Sequence, residues 1–164
     1  MITKTKIYLS SPHMSGLEQK YVQDAFDTNW IAPLGPHVDG FEEAIETYLE
    51  NNVYAAVLSS GTSAIHMALQ LLGVGKDDEV LCQSFTFSAS ANPIVYQGAH
   101  PVFIDSETDT WNMCPKLLEI AIKDRIQKNR KPKAIIAVHL YGMPYKANEI
   151  NAIAKKYGIP VIED

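Results

Sequence analysis

Gly158-Ile159-Pro160-Val161-Ile162-Glu163-Asp164 decides the fold of this chain. A short apolar run closes on two carboxylates, the pattern of a parallel strand that delivers an acid to its C-terminal edge. Open α/β sheets bind their ligands at that edge. Immediately upstream, Ile150, Ile153, Ala154 and Tyr157 fall on one face of a helix, and Gly158 is the residue type that ends one. A finished unit would run on from Asp164 through a loop into a helix. The chain is therefore expected to be the front part of a larger, here truncated, enzyme.

Working backwards, the same alternation repeats. Residues 133–138 form a continuously apolar strand, and Pro115 suits the first turn of a helix reaching about Gln127. Strands are expected near 101–104 and 79–82, with a helix over 89–96 between them. Residues 64–72 are apolar nearly all round, which predicts a buried helix. Ala55-Ala56-Val57-Leu58 reads as a further strand, near 54–58. Five apolar strands alternating with helices predict an α/β fold, a mostly parallel sheet with helices on both faces.

Residues 1–50 differ in kind. Leu17, Tyr21, Ala25 and Phe26 mark one helix face, and Val38, Phe41, Ile45, Tyr48 and Leu49 another. Between them lies Trp30-Ile31-Ala32-Pro33-Leu34-Gly35-Pro36, a loop by its Pro and Gly content, with apolar surface and no obvious local partner. This divides the chain into a helical segment with a loop (1–50) and a sheet domain (51–164).

Composition narrows the function classes. The chain has 164 residues, 46% of them hydrophobic, and a net charge of −5. Its basic residues are scattered apart from 128–133, which reads as a solvated helix end rather than a nucleic-acid patch. No run approaches the roughly 18 apolar residues of a membrane helix, and no apolar signal core follows Met1. Cys82 and Cys114 stand in no metal spacing and are expected as free thiols in a cytoplasmic protein.

Three groups at strand ends carry chemistry. Ser59-Ser60-Gly61-Thr62-Ser63 joins a strand to a helix: glycine permits close backbone approach, and the hydroxyls and N–H groups of a helix N-terminus suit a phosphate. An ordinary serine N-cap would read the same way. Phe87 could stack on a flat ring or simply pack in the core. Asp164 could hold a proton on a heteroaromatic nitrogen or cap the next helix. His139 could face the ligand, though a structural role suits it better; His66 reads as core and Asp105 as a turn residue. A phosphate cup, a stacking aromatic and a nitrogen-binding acid at one sheet edge are the three requirements of pyridoxal 5′-phosphate.

Six ordered motifs then carry a resemblance. They are Leu34-Gly35-Pro36 with Phe41-Glu42; Ser60-Gly61-Thr62; Thr86-Phe87-x-Ala89-x-Ala91-Asn92; Gly98-Ala99-x-Pro101-Val102-Phe103-x-Asp105; Val138-His139-x-Tyr141-Gly142-x-Pro144; and Val161-Ile162-Glu163-Asp164. The chain resembles the nucleotide-sugar aminotransferases of the DegT/DnrJ/StrS type, fold-type-I pyridoxal-phosphate enzymes. The resemblance implies the large domain of the aspartate-aminotransferase-like fold, a homodimer, and amino transfer from glutamate to a nucleotide-linked keto sugar. It implies that Gly61, Thr62 and Ser63 hold the phosphate, Phe87 stacks on the ring and Asp164 meets the pyridine nitrogen. The family's Schiff-base lysine lies downstream of the position matching Asp164, and none of the 12 lysines matches it. The chain as given is thus expected to be inactive and to bind the cofactor weakly and non-covalently. Rival readings are a dehydratase of the same superfamily, with histidine in place of that lysine, and a non-catalytic fold relative. A Rossmann dehydrogenase would need a glycine fingerprint that is not there.

Overall fold

A computed structural model describes residues 6–8, 11–50 and 52–164. The expected absence of a signal core at the N-terminus and the boundary residue Asn51 fall partly or wholly outside these. Contacts divide the chain into two compact units, 1–57 and 58–164.

In the first unit, Glu18–Asp27 (α1) and Pro36–Tyr48 (α2) are helices where the apolar spacing predicts them. Pro36 opens α2 at a position where its missing N–H costs nothing. Neither helix has a buried residue; Leu17, Tyr21, Phe26 and Phe41 are all exposed. The unit's polar contacts are local: His37 Nε2 meets Asp24 at 2.8 Å, and the Tyr21 ring stands edge-on to His37.

The second unit holds four strands: Glu79–Gln83 (β1), His100–Ile104 (β2), Ala134–Ala137 (β3) and Val161–Glu163 (β4). All neighbours are parallel and the order is β2-β1-β3-β4. The helices are Gly61–Leu71 (α3), Asn92–Tyr96 (α4), Pro115–Gln127 (α5) and Ala147–Tyr157 (α6). The path from β1 to β2 runs one way across the sheet; the path from β2 past β1 to β3 and β4 runs the other. Parallel crossovers share one hand, so a reversal of direction puts the connecting helices on opposite faces. The two cores show this. Val80 and Cys82 of β1 pack with Ile65 and Leu69 of α3 and Ile94 of α4. Leu81 packs on the other face with Leu118 and Ile122 of α5 and Ile150 and Ala154 of α6.

The structure corrects three expectations. The sheet has four strands: residues 54–58 are irregular. A strand exists by pairing, and no described strand lies beside this run. Instead the Ala55 and Val57 N–H groups donate to Glu46 and Glu42 of α2 at 2.9 and 2.8 Å. Second, α3 is buried on one face only. Ile65 and Leu69 face the sheet, while Met67 is 44% and Leu71 81% exposed, because one sheet face can cover only one side of a helix. Third, His66 is not core: it is half-buried, edge-on to Tyr96 at 5.8 Å. The helix expected over 89–96 is real but broken into a single 3₁₀ turn, Ser88–Ser90, followed by α4.

Candidate functional site

The chain direction reverses at β1, so the crevice that such a reversal creates lies outside the C-terminal ends of β1 and β3. The N-terminus of α3 and the residues that follow β1 and β4 are the candidates for the site.

Ser60 is the N-cap of α3: its Oγ accepts from the Ser63 N–H at 3.2 Å and lies 3.0 Å from the Ser63 hydroxyl. The cap therefore engages Ser63, while the Gly61 and Thr62 N–H groups and the Thr62 hydroxyl have no partner among the described residues. A Cβ at Gly61 would meet nothing within 4 Å, so the backbone there is open to a ligand. This end of α3 carries the partial positive charge of the helix dipole. α3 packs against α4 and against the 3₁₀ turn 88–90.

Phe87 leads into that turn with its ring 79% exposed. Within this chain Phe87 therefore packs against no core cluster. Asp164 follows β4. Its N–H donates to the Ala137 carbonyl, and its own carbonyl accepts from His139, each at 2.9 Å, which continues the β3–β4 pairing past the strand end. Its Oδ2 accepts from the Ser90 hydroxyl, and Ser90 Oγ lies 2.8 Å from Thr86 Oγ1. Phe87 is thus flanked by residues that link it to Asp164. Beneath them the Cys82 thiol is pushed up to about 12 by burial and then by the Asp164 charge, which makes it inert. Neither Cys82 nor Cys114 is in a disulfide.

His139 does not stand alone: its ring lies 4.8 Å from the Tyr145 ring, and the Tyr145 hydroxyl donates to Glu163. Burial, then that carboxylate, raise the Tyr145 pKa. Asp105 serves a turn, its carboxylate accepting from the Ser106 N–H and its carbonyl from Cys114.

Sequence reading missed the support beneath this edge. Gln83 and Asn112 are fully buried. Gln83 Oε1 accepts from the Met113 and Val138 N–H groups at 3.3 Å, and its Nε2 donates to the Phe85 carbonyl at 2.8 Å and to Asn112 Oδ1 at 3.3 Å. Asn112 Oδ1 also accepts from Leu140, and its Nδ2 donates to the Met143 carbonyl. Two amides thus fix the segments that follow β1 and β3 and the loop that follows β2. The one signal in the sequence was a glutamine closing an apolar strand.

The match to known proteins follows this geometry. The model of the DegT/DnrJ/EryC1/StrS aminotransferase family matches residues 12–164. The chain belongs to this family. It is 57% identical over 159 residues, 97% of its length, to a Bacillus subtilis protein named as a pyridoxal phosphate-dependent aminotransferase, EpsN. To a GDP-perosamine synthase of Escherichia coli O157:H7 it is 40% identical over 93% of its length. A crystal structure of a DegT DnrJ EryC1 StrS aminotransferase from Brucella abortus superposes with a TM-score of 0.78 at 35% identity, covering 93% of the chain and 44% of that protein. The chain spans 41% and 40% of the length of the two curated relatives. No helix among the described residues is long and apolar enough to cross a membrane.

Proposed function

We propose that this chain forms the first part of the cofactor-binding large domain (51–164), preceded by a substrate-loop segment (1–50), of a pyridoxal-phosphate aminotransferase. The complete protein moves an amino group from glutamate to a nucleotide-linked keto sugar destined for a surface glycan or glycoprotein. It works in the cytoplasm as a homodimer. Exposed Trp30, Leu34, Phe41 and Tyr48 in the first unit are apolar surface that association would cover. The observation that carries the reading is the Asp164 carboxylate, held at the end of β4 by the hydroxyl of Ser90, three residues after exposed Phe87.

Pyridoxal 5′-phosphate, when bound, supplies an electron-withdrawing ring that stabilises a carbanion next to the transferred amine. The residues present fit it. The Gly61 and Thr62 N–H groups and the Thr62 and Ser63 hydroxyls would hold the phosphate at the α3 N-terminus. Phe87 would cover the ring, and Asp164 would keep a proton on the pyridine nitrogen. The nucleophilic lysine is expected outside this chain, as the resemblance implies.

Reconstitution of the complete gene product with pyridoxal phosphate, glutamate and nucleotide-linked 4-keto sugars tests this. Glutamate-dependent formation of amino sugar is expected. Loss of a sugar hydroxyl instead would establish the dehydratase reading. A product that takes up no cofactor would overturn both.

A further inference from the structure

We infer that Ser90, with Thr86 behind it, is a positioning relay for Asp164, rather than ordinary turn polarity. The inference rests on the proposed cofactor site and deepens it. Ser90 is 1% exposed, and its hydroxyl reaches across 74 residues of sequence to Asp164 Oδ2.

The direction of the relay follows from proton counting. A carboxylate only accepts, so Ser90 must donate to it. A serine hydroxyl has one proton, and that proton is spent. The 2.8 Å contact between Thr86 and Ser90, which either side could donate by geometry, must then run from Thr86 to Ser90. Each donation polarises the next, so the two bonds reinforce one another. The Ser90 bond occupies one oxygen of Asp164, and the Thr86 bond holds the Ser90 hydroxyl in place for it. Oδ1 has no partner among the described residues and is the oxygen left for a ring nitrogen. Both hydroxyls flank Phe87, so the element that presents the ring face also sets the carboxylate. One turn of chain, 86–90, thereby aligns two of the cofactor's three contacts.

Ser90 and Thr86 act through Asp164, so their effects must be serial and must vanish without it. The test measures pyridoxal-phosphate affinity, by cofactor fluorescence, in the complete gene product stripped and reloaded with cofactor. Ser90→Ala should weaken binding about tenfold, the loss of one ordinary hydrogen bond to a charged group. Thr86→Val, nearly isosteric, should weaken it about threefold, a second-layer effect. The double variant should be no weaker than Ser90→Ala alone. In an Asp164→Asn background neither substitution should change affinity further. Additive losses, losses that persist in the Asp164→Asn background, or unchanged affinity would each overturn the relay. If Ser90→Ala lowers stability as well, the coupling of Thr86→Val to Asp164→Asn decides alone. A wild-type protein that takes up no cofactor would overturn the proposed function and this inference with it; wild-type uptake with unaffected variants would overturn the inference only.

Discussion

Gly61 has open space where a Cβ would point, and Phe87 keeps most of its ring in solvent. Neither residue is needed by the fold, so substitutions there separate binding from stability. Gly61→Ala and Phe87→Ala should each leave the unfolding free energy from urea denaturation within about 0.5 kcal/mol of wild type, as surface changes do. Both should weaken pyridoxal-phosphate binding, read by absorbance titration. A large stability loss with unchanged binding would mean that these residues serve the fold. Asn112 is the opposite case. Asn112→Ala would take from the buried Gln83 Nε2 one of its two acceptors and would unpair the part-buried Leu140 N–H and Met143 carbonyl. Unmet buried polar groups cost about 1–3 kcal/mol each, so urea denaturation should show a loss of about 2–3 kcal/mol. A loss below about 0.5 kcal/mol would show that water satisfies them. Residues 61–63, 87 and 164 could be proposed from sequence because each residue type has a chemical reason beside a phosphate, a flat ring or a ring nitrogen. Ser90 and Asn112 could not, since their partners lie 74 and 28–31 residues away.

At the scale of elements, helices were the more legible, because a helix satisfies its own backbone. Pro115–Gln127 appears where Pro115 and the periodicity place it, and α6 ends at Gly158, whose φ of +59° is left-handed. Strands need neighbours, which is why 54–58 looked like one and is not. Gly158→Ala should destabilise the chain by about 1 kcal/mol, the cost of a left-handed alanine, measured by thermal unfolding; no change would mean that the cap relaxes. The loop that carries Asn112 has its own anchor. Glu107 accepts from the Thr110 hydroxyl and N–H, and Lys146 lies 3.0 Å away. Chiefly the Thr110 hydroxyl, then the backbone N–H groups and Lys146, hold its carboxyl from an ordinary 4.5 down to about 2. A carboxyl depressed on folding stabilises fully above its unfolded pKa and loses that contribution as pH falls through the folded one. Amide protection in residues 107–113 should therefore persist above about pH 4.5 and fall away toward pH 2. Protection unchanged across that window would show that Glu107 does not hold the loop.

On the scale of the whole molecule, the two cores on either side of one parallel sheet follow from continuous apolar runs and right-handed crossovers. The strand order did not, because the jump from β2 past β1 to β3 leaves no mark in either strand. A crevice is expected at that jump, and in the proposed function it gathers residues as far apart as Thr62 and Asp164. The central claim is that these residues form one cofactor cradle. Titration of the ¹⁵N-labelled chain with pyridoxal phosphate, followed by amide chemical-shift mapping, tests it most directly. Saturable shifts gathered at Gly61, Thr62, Ser63, Phe87 and Asp164 are expected, at low affinity. Shifts scattered over surface lysines, with those five amides unmoved, would contradict it.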